Sequence, residues 1–547
     1  MWLVALFRHK IVVDGFYNLL MLGFLLAVHL EHGHKIFLVR LAGQFVIQLQ
    51  GLLFVASRQP ADNTSRQPSL RYQVKWCNIY NMRHSCINIK PMTFKKELRV
   101  KAPVKEVFKW HERPGALERL SPPWDPLEVI SKGPGIEKGT RVEMKIKAGP
   151  LPVKIKWVAE HTQYEKNRLF QDRQVKGPFK HWVHTHTLVA DGKNATVLED
   201  RIDYALPIHP LGNLVAGRSI KKKLERIFRY RHETTTRDLA DHLSRKEKGP
   251  LNVLISGASG VVGSSLIPFL TTGGHRVTRL VRRQPLENER FWDPENGILD
   301  LDDMDNLDVV VHLSGENIGQ GRWTPEKKRK IIESRNATTS LIAKSISRLK
   351  KLPQVFLCAS AIGYYGDRGD EIMTEEHECG ADFISGVCSE WENAAVPAME
   401  KDIRVVFLRI GVVLSPVGGA LKRLLPSFKM GLGGKMGSGE QFMSWISMDD
   451  LIGIIYHAIN DESLSGPINI VAPHPVSNLE LTRTLGKVIS RPTLFTIPAS
   501  LIKMVFGEMG KEVLLSSTRV EPKKIMASGY RFRHPELEVA LRHLLGR

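Results

Sequence analysis

The chain has 547 residues, enough for two to four domains, and 42% of them are apolar, ample for packed cores. Lys and Arg number 78 against 57 Asp and Glu, a net charge of +21. That charge is spread along the chain and accompanies no nucleic-acid motif, which argues against a nucleic-acid partner and leaves a phosphorylated small molecule as the simpler anion. The five cysteines, Cys77, Cys86, Cys358, Cys379 and Cys388, are odd in number and lack metal-ligand spacing, so they exclude a full disulfide framework and suit a reducing, cytoplasmic compartment.

Residues 1–91 do not resemble the rest. Ile11–Leu30 and Ile36–Ala56 are apolar runs near membrane-spanning length, broken by Asp14 and Arg40. A charge at mid-span costs about 2.5–3.5 kcal/mol on insertion scales. Met92 then opens MTFKKELRV, which reads as a natural start. The leading expectation is an over-extended start or an added segment; the alternative is a membrane anchor.

Residues 92–247 read as the next unit. Phe94, Leu98 and Val100 alternate as a strand, and Pro103–Trp110 as a short helix. Strand patterns follow at Thr140–Lys147, Val153–Glu160, Arg168–Gln174, Phe179–Leu188 and Ala195–Tyr204, and a helical one at Ile220–Leu243. Antiparallel strands closed by one long helix form an α+β layer. Trp182, His184 and His186 fall on one strand face, yet no third ligand is evident in register, so packing or a cavity wall is expected and no metal. Seven basic residues within Arg218–Arg231 surround the apolar stripe Ile220, Leu224, Ile227 and Phe228, the pattern of a helix packed on a sheet with a solvated basic face. The opening APVKEVFKW and the late HPLGNLVAGRSIKKKLERIFRYR resemble the START-like (SRPBCC) superfamily that includes polyketide cyclases. The resemblance implies a helix-grip fold with an apolar cavity for a hydrophobic small molecule. Lys246–Pro250 reads as a linker.

From 250 to about 490 the chain alternates strand and helix as a doubly wound α/β sheet should. LNVLISGASGVVG places a buried strand before Gly257, Gly260 and Gly263. The first glycine allows a sharp turn, the second lets backbone approach a pyrophosphate, and the third lets the following helix pack on the sheet. The helix N-terminus then faces the anion. A second strand, Arg276–Val281, ends in Arg282 and Arg283 about 20 residues on, where an acid would accept the ribose hydroxyl of NAD and arginine instead pairs with the extra phosphate of NADP. NADP is therefore favoured over NAD; the alternative is that both arginines face solvent. Further strands are expected at Asp308–Leu313, Val355–Ala359 and Val405–Leu414, and helices at Lys327–Lys344 and Ser389–Lys401.

ISGASGVVG, VVHLSGENI, GRWTPEKKRKIIESR, SAIGYYGDRGDE, VCSEWENAA, RIGVVLSPVGGAL, GLGGKMGSGEQFMSWISMDDL and NIVAPHPVSN resemble the SDR39U-type epimerase family of extended short-chain dehydrogenases. Residues 491–547 resemble that family's small C-terminal domain of unknown function. The resemblance implies cofactor contacts at Gly257, Ala258, Ser259, Gly260, Val261, Val262, Gly263, Arg282, Arg283, Leu313, Ser314, Arg335 and Leu414, although Arg335 also suits a surface pair with Glu333.

Chemistry in short-chain dehydrogenases usually needs a Tyr and a Lys four residues later. In DFISGVCSEWENAA those places fall on Ile384, which has no proton to move, and Cys388, which bears no charge. Ser360 and Tyr364 remain as catalytic candidates, with Tyr365 as a structural residue of the turn. Asp367, Arg368 and Asp370 suit a polar substrate or loop closure. In the glycine-rich segment 418–445, Phe442 and Trp445 suit stacking on substrate and Lys422, Arg423, Lys429 and Lys435 suit an anion; a lid whose aromatics fill an interface is the alternative. Ser447 is expected as an N-cap before Asp449 and Asp450. The sequence thus points to an NADP-binding oxidoreductase acting on a small molecule, with a non-catalytic NADP-binding regulator as the alternative.

Overall fold

Strand β1 (Met92–Val100) carries its inward residues at alternate positions, and it pairs antiparallel with β7 (Thr196–Ala205). The computed structural model describes residues 91–147, 153–207 and 211–547, except the side chains of 211–216. The two apolar runs before Met92 lie outside the described residues. Among the described helices, none is long and apolar enough to cross a membrane.

The first sheet has seven antiparallel strands in the order β1-β7-β6-β5-β4-β3-β2, with β2 (Glu128–Lys132), β3 (Arg141–Lys147), β4 (Lys154–Glu165), β5 (Leu169–Lys176) and β6 (His181–Ala190). Helices α1 (Val104–Glu112) and α2 (Ala116–Arg119) follow β1, and α3 (Leu211–Ser244) closes the layer. Phe94 and Phe228 meet with ring centroids 5.3 Å apart, so the expected stripe on α3 does face the sheet while Lys221, Lys222 and Lys223 face solvent. The exposed edge strand β2 has no apolar alternation to betray it, and α3 starts nine residues before the periodic stripe.

The second sheet is parallel, in the order β10-β9-β8-β11-β12-β13-β14: β8 (Asn252–Ser256), β9 (Arg276–Val281), β10 (Glu289–Phe291), β11 (Val309–His312), β12 (Val355–Ala361), β13 (Arg404–Ile410) and β14 (Gly466–Ile470). Its inner strands are apolar on both faces because helices cover both, including α4 (Gly263–Thr272), α5 (Pro325–Ile346), α6 (Phe383–Asn393) and α7 (Met448–Asn460). Two expected boundaries move. The segment 405–414 breaks at Gly411, where a Cβ would stand 2.5 Å from the Ser444 carbonyl oxygen, and Val412–Leu414 joins a separate ladder with Trp445–Ser447. The helix expected at Ser389–Lys401 begins at Phe383, capped by Asp382, and stops at Asn393 because Pro397 starts a new turn.

The two layers and the tail from Pro498 to Arg547 form one compact unit. They meet at a buried ionic junction. Arg119 on α2 donates two hydrogen bonds to Asp238 on α3, at 2.7 and 2.8 Å. Arg533 of the tail stands 3.6 Å from the same Asp238 and also bonds Asp241. Gly115 lies so close to α4 that a Cβ would be 2.6 Å from the Pro268 oxygen.

Candidate functional site

The glycine loop has the geometry its spacing implies. Gly257 has φ +70°, and a Cβ there would stand 2.7 Å from the Leu313 carbonyl carbon. Gly263 packs on the loop, with its missing Cβ 2.4 Å from the Gly257 oxygen. At Gly260 the only neighbour of a Cβ is the Gly257 oxygen at 3.2 Å, so the loop stays open on the side where α4 begins. Ala258 and Ser259 form the rim, and Val261 and Val262 lead into the helix. This cradle fits a dinucleotide's pyrophosphate.

At the end of β9, Arg282 and Arg283 are exposed and occupy the sequence positions where an acid would stand for NAD. The Arg282 guanidinium lies 5.9 Å from the Trp292 ring centroid, and Arg283 pairs with Glu289 at 2.7 Å, so neither simply projects into solvent. Leu313 and Ser314 sit directly against Gly257. Leu414 is buried behind the site with Leu421 and Trp445.

Arg335 is not a surface charge. Glu333 pairs with Arg329, while the buried Arg335 guanidinium donates to the Glu316 and Ile331 carbonyls and lies 4.7 Å from the Trp391 ring centroid. It ties the loop after β11 to α5, and the missing Cβ of Gly315 is what admits it, at 3.3 Å.

At the carboxyl end of β12, Ser360 donates to Glu392 at 2.7 Å. Glu392 in turn holds Arg409 through two hydrogen bonds of 2.9 Å. Arg409 donates at 3.0 Å to the Tyr365 hydroxyl, which donates to Asn469 at 2.7 Å. Burial, only partly offset by Arg409, pushes the Tyr365 phenol up to about 12, so Tyr365 is the structural member of the pair. Tyr364 is half-buried with its ring centroid 3.5 Å from the Arg409 guanidinium carbon. Ile384 and Cys388 fill the apolar space behind this turn, and burial pushes the Cys388 thiol up to about 12. Glu392, Arg409 and Asn469 lie in the motifs VCSEWENAA, RIGVVLSPVGGAL and NIVAPHPVSN, but nothing in those motifs links them: they sit on three elements that only the sheet brings together.

Loops cover this edge. Gly418 abuts Val261, Arg423 bonds the Gly319 carbonyl, and Arg322 donates to the Met504 carbonyl at 2.8 Å. Asp367 and Arg368 close their own loop onto Ser517, whereas Asp370 stays exposed. Trp445 cannot stack on a substrate: it is fully buried and donates to the His474 carbonyl. Phe442 is half-buried beneath the Arg519 guanidinium, at 4.7 Å. Lys435 donates to the Ser438 carbonyl, and Lys422 and Lys429 are exposed.

Ser447 caps α7, accepting from the Asp450 amide at 3.0 Å. The two acids after it do more than answer the helix dipole. Asp450 accepts the Arg533 and His534 amides, and Asp449 accepts from His543 at 3.0 Å. Burial lowers the His543 pKa, but the hydrogen bonds to Asp449 and Glu233 outweigh it and raise it to about 9, above its ordinary 6.5. The imidazolium therefore contributes fully below pH 6.5, and this contribution fades as pH rises through about 9. Up to about 3 kcal/mol is at stake. Urea unfolding at pH 6 and pH 9.5 should show that loss in the wild type and little of it in His543→Gln.

In the first layer, His184 and His186 face α3, and a third ligand does stand in register: Asp172 on β5 is the cross-strand partner of His184. Ligand atoms of the three lie within 4.8 Å of one another. Burial pushes His184 down, and His186 to about 4.

Comparison with known proteins agrees with this architecture. Residues 253–471 match the model of the NAD dependent epimerase/dehydratase family, 497–544 a domain of unknown function (DUF1731), and 100–228 the polyketide cyclase / dehydrase and lipid transport family. Epimerase family protein Mb2239 of Mycobacterium bovis is 39% identical over 290 residues, covering 53% of this chain and 96% of that protein. Human epimerase family protein SDR39U1 is 35% identical over 299 residues, 54% of this chain and all of that one. Among solved structures, the nucleoside-diphosphate sugar epimerase of Corynebacterium glutamicum matches with TM-score 0.68 at 34% identity, over 83% of this chain and 90% of that one. Human SDR39U1 with NADPH matches with TM-score 0.51 at 34% identity, over 54% and 99%. The chain therefore belongs to the SDR39U-type branch of the NAD dependent epimerase/dehydratase family and carries a polyketide-cyclase-type domain ahead of it.

Proposed function

We propose that the chain is an NADP(H)-dependent oxidoreductase of the epimerase type, acting on a small sugar-like or hydrophobic molecule. The observation that carries the cofactor choice is that arginines, Arg282 and Arg283, stand at the end of β9 where NAD-binding folds carry an acid. The NADPH carried by human SDR39U1 supports it. When bound, NADP(H) supplies the hydride. The glycine loop and the N-terminus of α4 hold the pyrophosphate, the arginines hold the adenosine phosphate, and Arg335 keeps the loop after β11 in place. Tyr364 is the proton donor in this reading: it lies just past β12, with the Arg409 cation beneath its ring. Ser360 reaches the site only through Glu392, so its part is to position that network. The first domain offers a hydrophobic ligand the aromatic group Trp157, Phe179, Trp182 and Tyr204.

Fluorescence titration with NADPH and NADH tests the cofactor, and turnover on a panel of carbonyl compounds tests the chemistry. Arg283→Ala should reduce the preference for NADPH about tenfold or more; an unchanged ratio refutes the phosphate assignment. Tyr364→Phe should cut turnover by about 100-fold or more while leaving NADPH affinity intact. Equal turnover in the two proteins removes Tyr364 from the reaction.

A further inference from the structure

We propose that the helix-grip domain holds a divalent transition-metal ion of the zinc class on His184, His186 and Asp172. The sheet register builds the set. His184 and His186 are alternate residues of β6 on the face toward α3, and Asp172 and Phe170 are their partners on β5. The Phe170 ring stacks on His186 at 4.1 Å and fixes its plane.

Asp200 on β7 engages His184 Nε2 at 3.3 Å through one oxygen and His232 Nε2 at 2.9 Å through the other. Such a carboxylate behind an imidazole orients a metal-binding histidine. His184 Nδ1 remains as a lone-pair donor, and His186, 2.7 Å from Asp200 but off its hydrogen-bonding direction, keeps a buried Nδ1 without a partner. His184 Nδ1 is 3.6 Å from Asp172 Oδ2, too long for a good hydrogen bond. It is close to the roughly 3.3 Å between two ligands that each sit ~2.0–2.1 Å from a tetrahedral ion. The Asp172 carboxylate accepts no hydrogen bond from any described residue, although its side chain is only 17% exposed. Beside it in the same cross-strand row, His161 buries an Nδ1 that also lacks a partner.

Charge and donor type choose the ion. Asp172 and Asp200 face one cation, the half-buried Arg231, whose Nε is engaged by the Leu120 carbonyl, so the cluster retains excess negative charge. Two imidazoles and one carboxylate suit zinc-class ions better than magnesium or calcium, which prefer all-oxygen shells. Three protein ligands leave a coordination position for water or a ligand oxygen. The other group with suitable spacing, Asp449, His534 and His543, is a poorer candidate: His543 already bonds both Asp449 and Glu233, and Arg119 and Arg533 bring two cations to it.

Untagged full-length protein, stripped with a chelator, is titrated with Zn²⁺ against a chromophoric competitor and with Co²⁺ by visible absorption. The expected result is one tight equivalent with Co²⁺ bands in the visible. Asp172→Asn, which preserves shape, and His186→Ala should each weaken binding by at least about 10-fold. His543→Gln should leave it unchanged, and NADPH titration serves as the folding control for all three variants. Absence of a tight equivalent in the wild type overturns the proposal. So does wild-type affinity in Asp172→Asn and His186→Ala, or loss of the ion in His543→Gln alone.

Discussion

Asp238→Ala is expected to destabilise the protein by about 3–5 kcal/mol, the range for breaking a buried ion pair from one side. The Asp238 side chain is fully buried, and it answers Arg119 and Arg533, whose side chains are 6% and 7% exposed. Removing it leaves the buried Arg119 with only Asp449, at 3.7 Å, and Arg533 with Asp241, with little water to replace the lost bonds. For a compact unit of this size the loss lowers the midpoint of thermal unfolding by about 3–5 °C. Limited proteolysis adds a second readout, since the linker around Gly249 should become the first point of cleavage. Lys95→Ala, which removes an exposed pair with Glu97 and Glu199, should leave stability nearly unchanged. Equal effects from the two substitutions contradict the account of the junction.

Gly263→Val should abolish nucleotide binding, with NADPH affinity falling by about 100-fold or more. Its Cβ would stand 2.4 Å from the Gly257 oxygen and 2.9 Å from the Ala258 Cα, and neither backbone atom can swing away as a side chain does. The helix must then move off the loop that it supports. Gly260→Ala is the informative companion. Its only close neighbour is 3.2 Å away, so the fold should persist, yet the methyl group would occupy the side left open for phosphate. Isothermal titration with NADPH separates the two cases. Wild-type affinity in Gly260→Ala refutes the pyrophosphate cradle.

The glycine loop was legible because its restraint lies in the backbone: φ +70° at Gly257 and the tight packing at Gly263 leave a mark on residue type that spacing alone reveals. The alternation of strand and helix was legible for the same reason that the inner strands are buried on both faces. The partners of the candidate site were not. Glu392 meets Arg409 and Ser360 across α6, β13 and β12, and nothing within any one of those segments announces the meeting. Asp172 stayed hidden because register between β5 and β6 decides what faces His184, and register is not written in either strand alone. Trp445 misled because a large aromatic in a glycine-rich segment suits a lid as well as an interface, and only the ladder with Val412–Leu414 puts it inside.

The junction draws Arg533, His534 and His543 from a stretch that follows both sheets in the sequence. Those residues leave the ribosome after both sheets are complete. Domains generally fold as they emerge, the N-terminal one first. Each layer can thus gain its own core during synthesis, but the clasp between them closes only after Arg533 to His543 have emerged. A nonsense mutation ahead of Arg533 would leave two folded halves swinging on the five-residue hinge Lys246–Pro250.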